Sequence, residues 1–542
     1  MEGMKCAQGK KSEYDCELIQ LTQELIDAAA PRPTGRVPET IMAQPQEDFN
    51  EPFGDALKWA PALPMEIIQS IFSHVAENCN MHDWYRLSLV NHSWYSAATK
   101  QLYHSFKNHG DLKDRERLWQ FMRTVVEEPD LAKIVKAVDL IHCFKYTGPA
   151  SPFLAESFCT KYRSALIRGI QESGIDRYQD ENDILEALQT DDRRPIVSII
   201  LACLSNLETL SMHVTNNDIY LRAVAQNAPI HKDIFPAKSV RSTLAFKQVK
   251  RLFLDTDDQP YGNVPLEIDR YQPFIYFPQL CELTLLHCKF NVELFSWSFG
   301  GIGEARPGLS SNLTKVTIDL FRNTRLEELL KFLDGLTALT SLCIDFSSIP
   351  RSEWDIYGPT ALWDHLLRFK ETLKKLDIYY LDIPQHQPSP PEFCPPIHEF
   401  INLKSLSIGP AMLLGNCKKH RAPFQLMEHV PCGLDYLGLY GDPGFIQGPW
   451  AVPEMESQLE ALAMNREPKA IDVQLLGKRC ALLPISKLRA ACKQKRIRFD
   501  TKRMNRGGSG SEFGLSSHRH ARPHNPDMYQ ALLQIGSNIT PF

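Results

Sequence analysis

Nowhere is this sequence apolar for long. The longest such run, Ile196 to Leu204, contains Ser198 and falls far short of the roughly 18 residues that a membrane-spanning helix needs. No membrane segment is expected. The opening residues, MEGMKCAQGKKSEYD, lack the apolar core of a secretory signal, so the expected location is the cytoplasm, the nucleus or both. The 14 cysteines include no CxxC pair. Several, such as Cys203, Cys281 and Cys343, fall in apolar runs, which reads as buried free thiols in a reducing compartment. No sign of charge dominates either, since 60 Lys and Arg stand against 65 Asp and Glu for a formal net charge of -5. Nucleic-acid binding usually leaves a basic footprint, so nucleic acid is not an expected partner.

The usual fingerprints of catalysis are missing or broken as well. His398-Glu399 is followed by Asn402 where a zinc-protease helix needs its second histidine, so the paired ligands are lost. Gly301-Ile-Gly303 runs on to Arg306 without the third glycine of a dinucleotide loop, and no phosphate-cradling Walker loop occurs. His518, His520 and His524 sit in a tail rich in Gly, Ser and Arg, where histidines are ordinarily solvated. No catalytic residue, cofactor or metal is therefore expected, and the chain is not expected to be an enzyme. The basic cluster Lys493 to Arg506 reads as the exposed side of a last strand.

What the sequence does have is concentrated first in Pro61 to Phe106. Pro64 fixes φ where a helix can start, and Ile67, Ile68, Ile71, Phe72 and Val75 follow at helical spacing. This helix should end near Asn78 to Asn80. A second is expected after Asp83, carrying Tyr85, Leu87, Leu89 and Val90, and a third from Trp94 to Leu102. Three short helices bury too little to stand alone easily. The residues Leu63-Pro64-x-Glu66-Ile67, Ile71-Phe72, Leu87-Ser88-Leu89-Val90-Asn91 and Ser93-Trp94-Tyr95 resemble the F-box family. That resemblance implies docking on the small adaptor of a Skp-cullin-F-box ubiquitin ligase, with Leu63, Pro64, Ile67, Ile71, Leu87, Val90 and Trp94 forming most of the adaptor-binding surface.

The second concentration is a recurrence. The spacing apolar-x-x-apolar-x-apolar returns at Leu207/Leu210/Met212, Val249/Leu252/Leu254, Leu280/Leu283/Leu285, Leu313/Val316/Ile318, Leu339/Leu342/Ile344, Leu373/Leu376/Ile378, Leu403/Leu406/Ile408 and Leu434/Leu437/Leu439. Steps range from 26 residues, Leu313 to Leu339, to 42, Leu207 to Val249. Each step leaves room for a strand, a turn and a short helix, and Ile196 to Leu204, Arg325 to Leu333, Leu362 to Phe369 and Phe424 to Val430 carry helix-like faces. Copies stacked side by side cover both strand and helix. The pattern resembles a leucine-rich repeat, without a continuous Asn ladder at its ninth place. The expected fold is α/β: a three-helix F-box over 60–107, an irregular leucine-rich-repeat-like solenoid over 111–500, and disordered ends over 1–59 and 501–542.

In such a repeat the side chains between the buried leucines line an open face. A protein target is expected to meet Phe253, Asp255, Asp319, Asp345, Asp377, Tyr379, Tyr436 and Tyr440 there, the acids drawing a basic segment and the aromatics anchoring it. The function implied is a substrate-recognition subunit coupling an unidentified target to a cullin-RING ligase through the adaptor. A repeat scaffold unconnected with ubiquitin is the alternative.

Overall fold

A computed structural model describes residues 64–504, apart from 76–80, 109–111, 144–151, 227–244, 257–264, 291–311, 347–359, 380–395, 410–424 around Leu413, 442–451, 477–484 and a few shorter gaps. Leu63, the N-terminal arm and residues 505–542 lie outside the described residues. The chain divides into two compact units, with the boundary between Lys107 and Asn108.

The described part of the first unit is a three-helix bundle: α1 (Met65–Val75), α2 (Met81–Ser88) and α3 (His92–Leu102), followed by a short strand, Ser105–Lys107. The carbonyl of Pro64 accepts from the N–H groups of Ile67 at 2.9 Å and Ile68 at 3.1 Å, opening α1. Asn91 caps α3, its Oδ1 accepting from the Trp94 N–H at 3.0 Å, which supplies an acceptor to an otherwise unpartnered first-turn donor. The cap explains why α3 starts earlier than the apolar spacing alone suggests.

The second unit is built on parallel strands. In chain order they are β1 (Ala137–Leu140), β2 (Thr209–Val214), β3 (Arg251–Thr256), β4 (Leu266–Glu267), β5 (Glu282–Lys289), β6 (Lys315–Leu320), β7 (Ser341–Asp345), β8 (Lys375–Tyr379), β9 (Ser405–Ile408), β10 (Tyr436–Gly441), β11 (Ala470–Leu476) and β12 (Arg498–Met504). Apart from β4, which sits beside β5, each strand pairs with the one before and the one after it in sequence. The recurrent apolar positions fall in register: Leu210, Leu252, Leu283, Val316, Leu342, Leu376, Leu406, Leu437 and Ile471 form one continuous row. Every one of them is buried. A parallel strand must return by a crossover, and the helices supply it where they are described, as α-helical segments between β1 and β2, β2 and β3, β6 and β7, and β10 and β12.

Successive units are also pinned at the starts of their strands. The side-chain amides of Asn206, Asn312 and Asn402 donate to the carbonyls of Lys133 (2.8 Å), Pro278 (2.8 Å) and Glu371 (2.6 Å), and the Thr372 hydroxyl donates to Leu339 O at 2.7 Å. Each of these residues immediately precedes the first Leu of its repeat. The ninth place of the motif carries no continuous Asn ladder, as expected, and these rungs stand instead one residue before the motif begins.

Two further differences have local causes. Helices Pro152–Lys161, Arg163–Ser173 and Glu181–Gln189 intervene between β1 and β2; the sequence reading has no helices there because their apolar residues are diluted by polar ones. One of them, α4 (Arg163–Ser173), packs its Gly169 against Ile199 of α5 (Arg194–Cys203): a Cβ on residue 169 would stand 2.5 Å from Ile199 Cγ2. At the far end β12 continues to Met504, so the residues 501–504 assigned to the tail are strand. Their polar side chains hid the strand because an edge strand has little to bury.

Candidate functional site

Within the first unit, Ile68, Phe72, Trp84, Leu87, Trp94, Ala97 and Ala98 form the interior, with Ile71, Val90 and Leu102 packed at its margin. Phe72 is the hub: its ring meets Trp84 edge-on at 5.1 Å and Trp94 at 5.3 Å. Of the residues expected to face an adaptor, Pro64 is exposed and Ile67 is 47% exposed. Ile71 and Val90 are partly covered. Leu87 and Trp94 are turned inward, at 2% and 8% exposure, so they hold the bundle together and offer no open surface. Three large side chains that the sequence reading left out of the surface are open: Tyr85, Leu89 and Tyr95. Tyr85 lies on α2 and Leu89 in the turn that ends it.

The second unit gives a correction. The residues between the row leucines were expected to line an open face, but Ser211, Phe253, Thr284, Cys343, Asp345, Asp377, Tyr379 and Tyr440 are all buried, as is Asp319. Asp255 and Tyr436 are partly covered. At these positions the face opposite the leucine row is therefore covered and has its own chemistry, while Lys315 at a strand start stays exposed. Phe253, Leu286 and Cys343 form an apolar cluster with Ile141 at its margin. The Tyr440 hydroxyl donates to Asp377 Oδ1 at 2.7 Å, and its ring meets Tyr379 edge-on at 5.0 Å. The Tyr436 hydroxyl donates to Asp472 Oδ2 at 3.1 Å. The acid-and-aromatic set assigned to a partner is thus engaged within the chain, because a tyrosine hydroxyl and a carboxylate removed from water must satisfy one another.

Towards the carboxyl ends of the strands, neighbouring side chains form a polar row. His213 Nε2 lies 3.2 Å from Asp255 Oδ2, His287 Nδ1 lies 2.9 Å from Asp255 Oδ1, and His287 Nε2 lies 3.5 Å from Asp319 Oδ2. Burial pushes the Asp255 carboxyl up, but its hydrogen bonds to His213 and His287, with the charge of those rings, outweigh burial and hold it below the ordinary carboxylate range. Alternation along β2 and β3 could have placed His213 beside Asp255 from sequence alone. His287 could not have been found that way, since it sits at a bulge.

Elsewhere the chemistry is quiet. Among the described residues, no group of three or more His, Cys, Asp or Glu side chains is arranged to hold a metal ion, and no helix is long and apolar enough to cross a membrane. His398 and Glu399 lie in a single turn, Ile397–Glu399, with Glu399 paired to Lys370 at 3.2 Å. Gly301 and Gly303 lie outside the described residues, as does the histidine-bearing tail. Cys143, Cys159, Cys288, Cys343 and Cys492 are buried free thiols, and burial lifts Cys159 to about 11. Lys493, Arg496 and Arg498, from the basic cluster, are exposed at the last strand and the helix before it.

Residues 60–109 match the family model for F-box-like domains. The chain carries an F-box-like domain. The match covers the bundle whose buried Phe72, Trp84 and Trp94 and exposed Ile67, Tyr85, Leu89 and Tyr95 are described above. F-box domains typically bind Skp-type adaptors, and the proteins that carry them are in general non-catalytic. No curated protein matches the chain.

Proposed function

We propose that this chain is the substrate-recognition subunit of a cullin-RING ubiquitin ligase of the Skp-cullin-F-box type. The bundle docks on the small adaptor, and the second unit, read as an irregular leucine-rich-repeat-like solenoid over 111–500, holds a protein target. The observation that carries the adaptor half is the concentration of open apolar side chains at Ile67, Tyr85, Leu89 and Tyr95 within the matched residues. Large apolar side chains left open within one short stretch are what an interaction site would need. Pro64 extends that surface, while Leu87 and Trp94 support it from inside.

On this reading the chain performs no chemistry of its own. It raises the effective concentration of a target lysine near a charged conjugating enzyme, in the cytoplasm or nucleus. The target meets a surface other than the buried Asp377, Tyr379 and Tyr440 set. Co-purification of the full chain with a Skp-type adaptor tests the docking half. Ile67→Asp with Leu89→Asp should abolish recovery of the adaptor while leaving the helical circular dichroism intact. Undiminished recovery from that variant would sink the reading. A target protein that accumulates when the same variant replaces the wild type separates a ligase subunit from a scaffold.

A further inference from the structure

In the parallel pair β5–β6, Leu285 stands opposite Ile318 and Cys288 opposite Leu320, with a shift of register between them. Two residues, Leu286 and His287, therefore face the single Asp319, which defines a bulge. His287 adopts φ of 51°, a left-handed conformation that strains a residue other than glycine and that clusters at functional positions. The bulge sends Leu286 into the apolar cluster with Phe253 and Cys343 and sets the imidazole of His287 between two carboxyls, Asp255 from β3 and Asp319 from β6.

The hydrogen inventory of that imidazole is constrained. Asp255 Oδ1 accepts from the Thr256 N–H at 2.8 Å, so it acts as an acceptor, and its partner His287 Nδ1 must carry the hydrogen. The other ring nitrogen, Nε2, faces Asp319 Oδ2. In the neutral ring Nε2 would present a lone pair to a carboxylate, two acceptors facing each other. The contact is attractive only with a further proton on Nε2 or on the Asp319 carboxyl. His213 has no such requirement in its contact with Asp255, for which one N–H suffices. Two further titratable groups face the contact: the Cys288 thiol, which burial first and the charge of Asp319 second hold in its protonated form, and the buried Asp345 carboxyl, in register with Asp319 on β7.

We infer that folding captures one proton at the His287–Asp319 contact, making this row a proton-operated latch across β3, β5 and β6. An unfolded histidine gives up its proton near pH ~6.5. The latch's contribution to stability is therefore fully present below that value and lost as pH rises through the folded-state value. Release leaves two lone pairs opposed at a strained bulge, and the carboxyl ends of β5 and β6 loosen first.

The test uses the full chain with 15N-labelled imidazoles, followed by two-bond proton–nitrogen spectra from acid to mildly alkaline pH, with His287→Gln assigning the signal. Both His287 nitrogens should remain in the protonated range at a pH where free imidazole is neutral, or Nε2 should show the partial shift of a proton shared with Asp319. Asp319→Asn should weaken proton retention about tenfold, one unit of midpoint. A His287 that appears as an ordinary single-hydrogen tautomer at neutral pH overturns the inference, as does a midpoint unmoved by Asp319→Asn in a chain whose circular dichroism is native. Should Asp319→Asn fail to fold, the nitrogen shifts of the wild-type chain decide alone.

Discussion

The two units treat their large side chains in opposite ways. The bundle leaves Ile67, Tyr85, Leu89 and Tyr95 open, while in the much longer second unit only Ile219 and Ile401 are comparably exposed among the described residues. The second unit even buries Asp319, Asp345, Asp377 and Asp472. Size accounts for part of this, since a short unit has a small interior relative to its surface. The rest is a matter of which residues are held and which are left open: in the bundle the interior hangs on a few aromatic contacts, leaving apolar groups open, whereas the sheet covers its large apolar side chains on both faces and leaves charged ones such as Lys315 exposed at strand starts.

The sharpest way to break that contrast is to strike the hub of the bundle. Phe72→Ala removes contacts to Trp84 and Trp94 together and should cost about 3–5 kcal/mol, enough to melt so small a unit. Leu89→Ser, at an exposed position, should change stability by no more than about 0.5 kcal/mol. Urea unfolding followed by tryptophan fluorescence compares them, since Trp84 and Trp94 both report from the interior. Similar losses in the two variants would erase the distinction between held and open residues.

Buried acids give the second unit a distinct vulnerability. Asp218 is fully buried and caps a helix, its Oδ1 accepting from the Leu221 N–H at 2.9 Å. Burial, only partly offset by that backbone hydrogen bond and by Arg194, lifts its carboxyl to about 7. A folded-state value above the unfolded one means that the stability it supports is fully present below about pH 4 and is lost as pH rises towards 7. Asp218→Asn keeps the acceptor and should remove this slope, gaining up to about 4 kcal/mol above neutrality. Urea midpoints measured across that range check it, and parallel profiles for variant and wild type would contradict it.

Gly169 tests how tightly the same unit is closed. With a Cβ directed at Ile199 Cγ2, Gly169→Ala should cost about 1–3 kcal/mol by overpacking, although alanine favours a helix in an open position. Combining it with Ile199→Val should recover part of the loss, as thermal unfolding would show.

How much of this was legible beforehand follows from periodicity. The row from Leu210 to Ile471 was readable because the same spacing recurs and each strand must present the same apolar positions to its neighbours. Phe72 and Trp94 were readable as apolar, but whether a residue is held or left open depends on the crossing of helices, which one-dimensional spacing does not encode. The open face failed for a related reason. Alternation says that Asp377 and Tyr379 point away from the leucine row; it says nothing about Tyr440, 63 residues on, donating to Asp377. His287 was hidden because a bulge interrupts the alternation that the reading relied on.

The smallest expected effect concerns the amides that pin one repeat to the next. Asn402 is exposed, yet its side chain reaches the carbonyl of Glu371, a bond between units 31 residues apart in sequence. A hydrogen bond open to water contributes about 0.5–1.5 kcal/mol, so Asn402→Ala should lower stability by about 1 kcal/mol or less. Asn206→Ala and Asn312→Ala should behave alike. If units pair only with their neighbours, the three losses at distant sites should add, and hydrogen exchange should quicken in the strands flanking each substitution before it does so elsewhere. A triple variant that loses far more than the sum, or quickened exchange spread evenly from β1 to β12, would show that the sheet answers as one body, and the recurrence seen in the sequence would then be a pattern of packing without independence of its units.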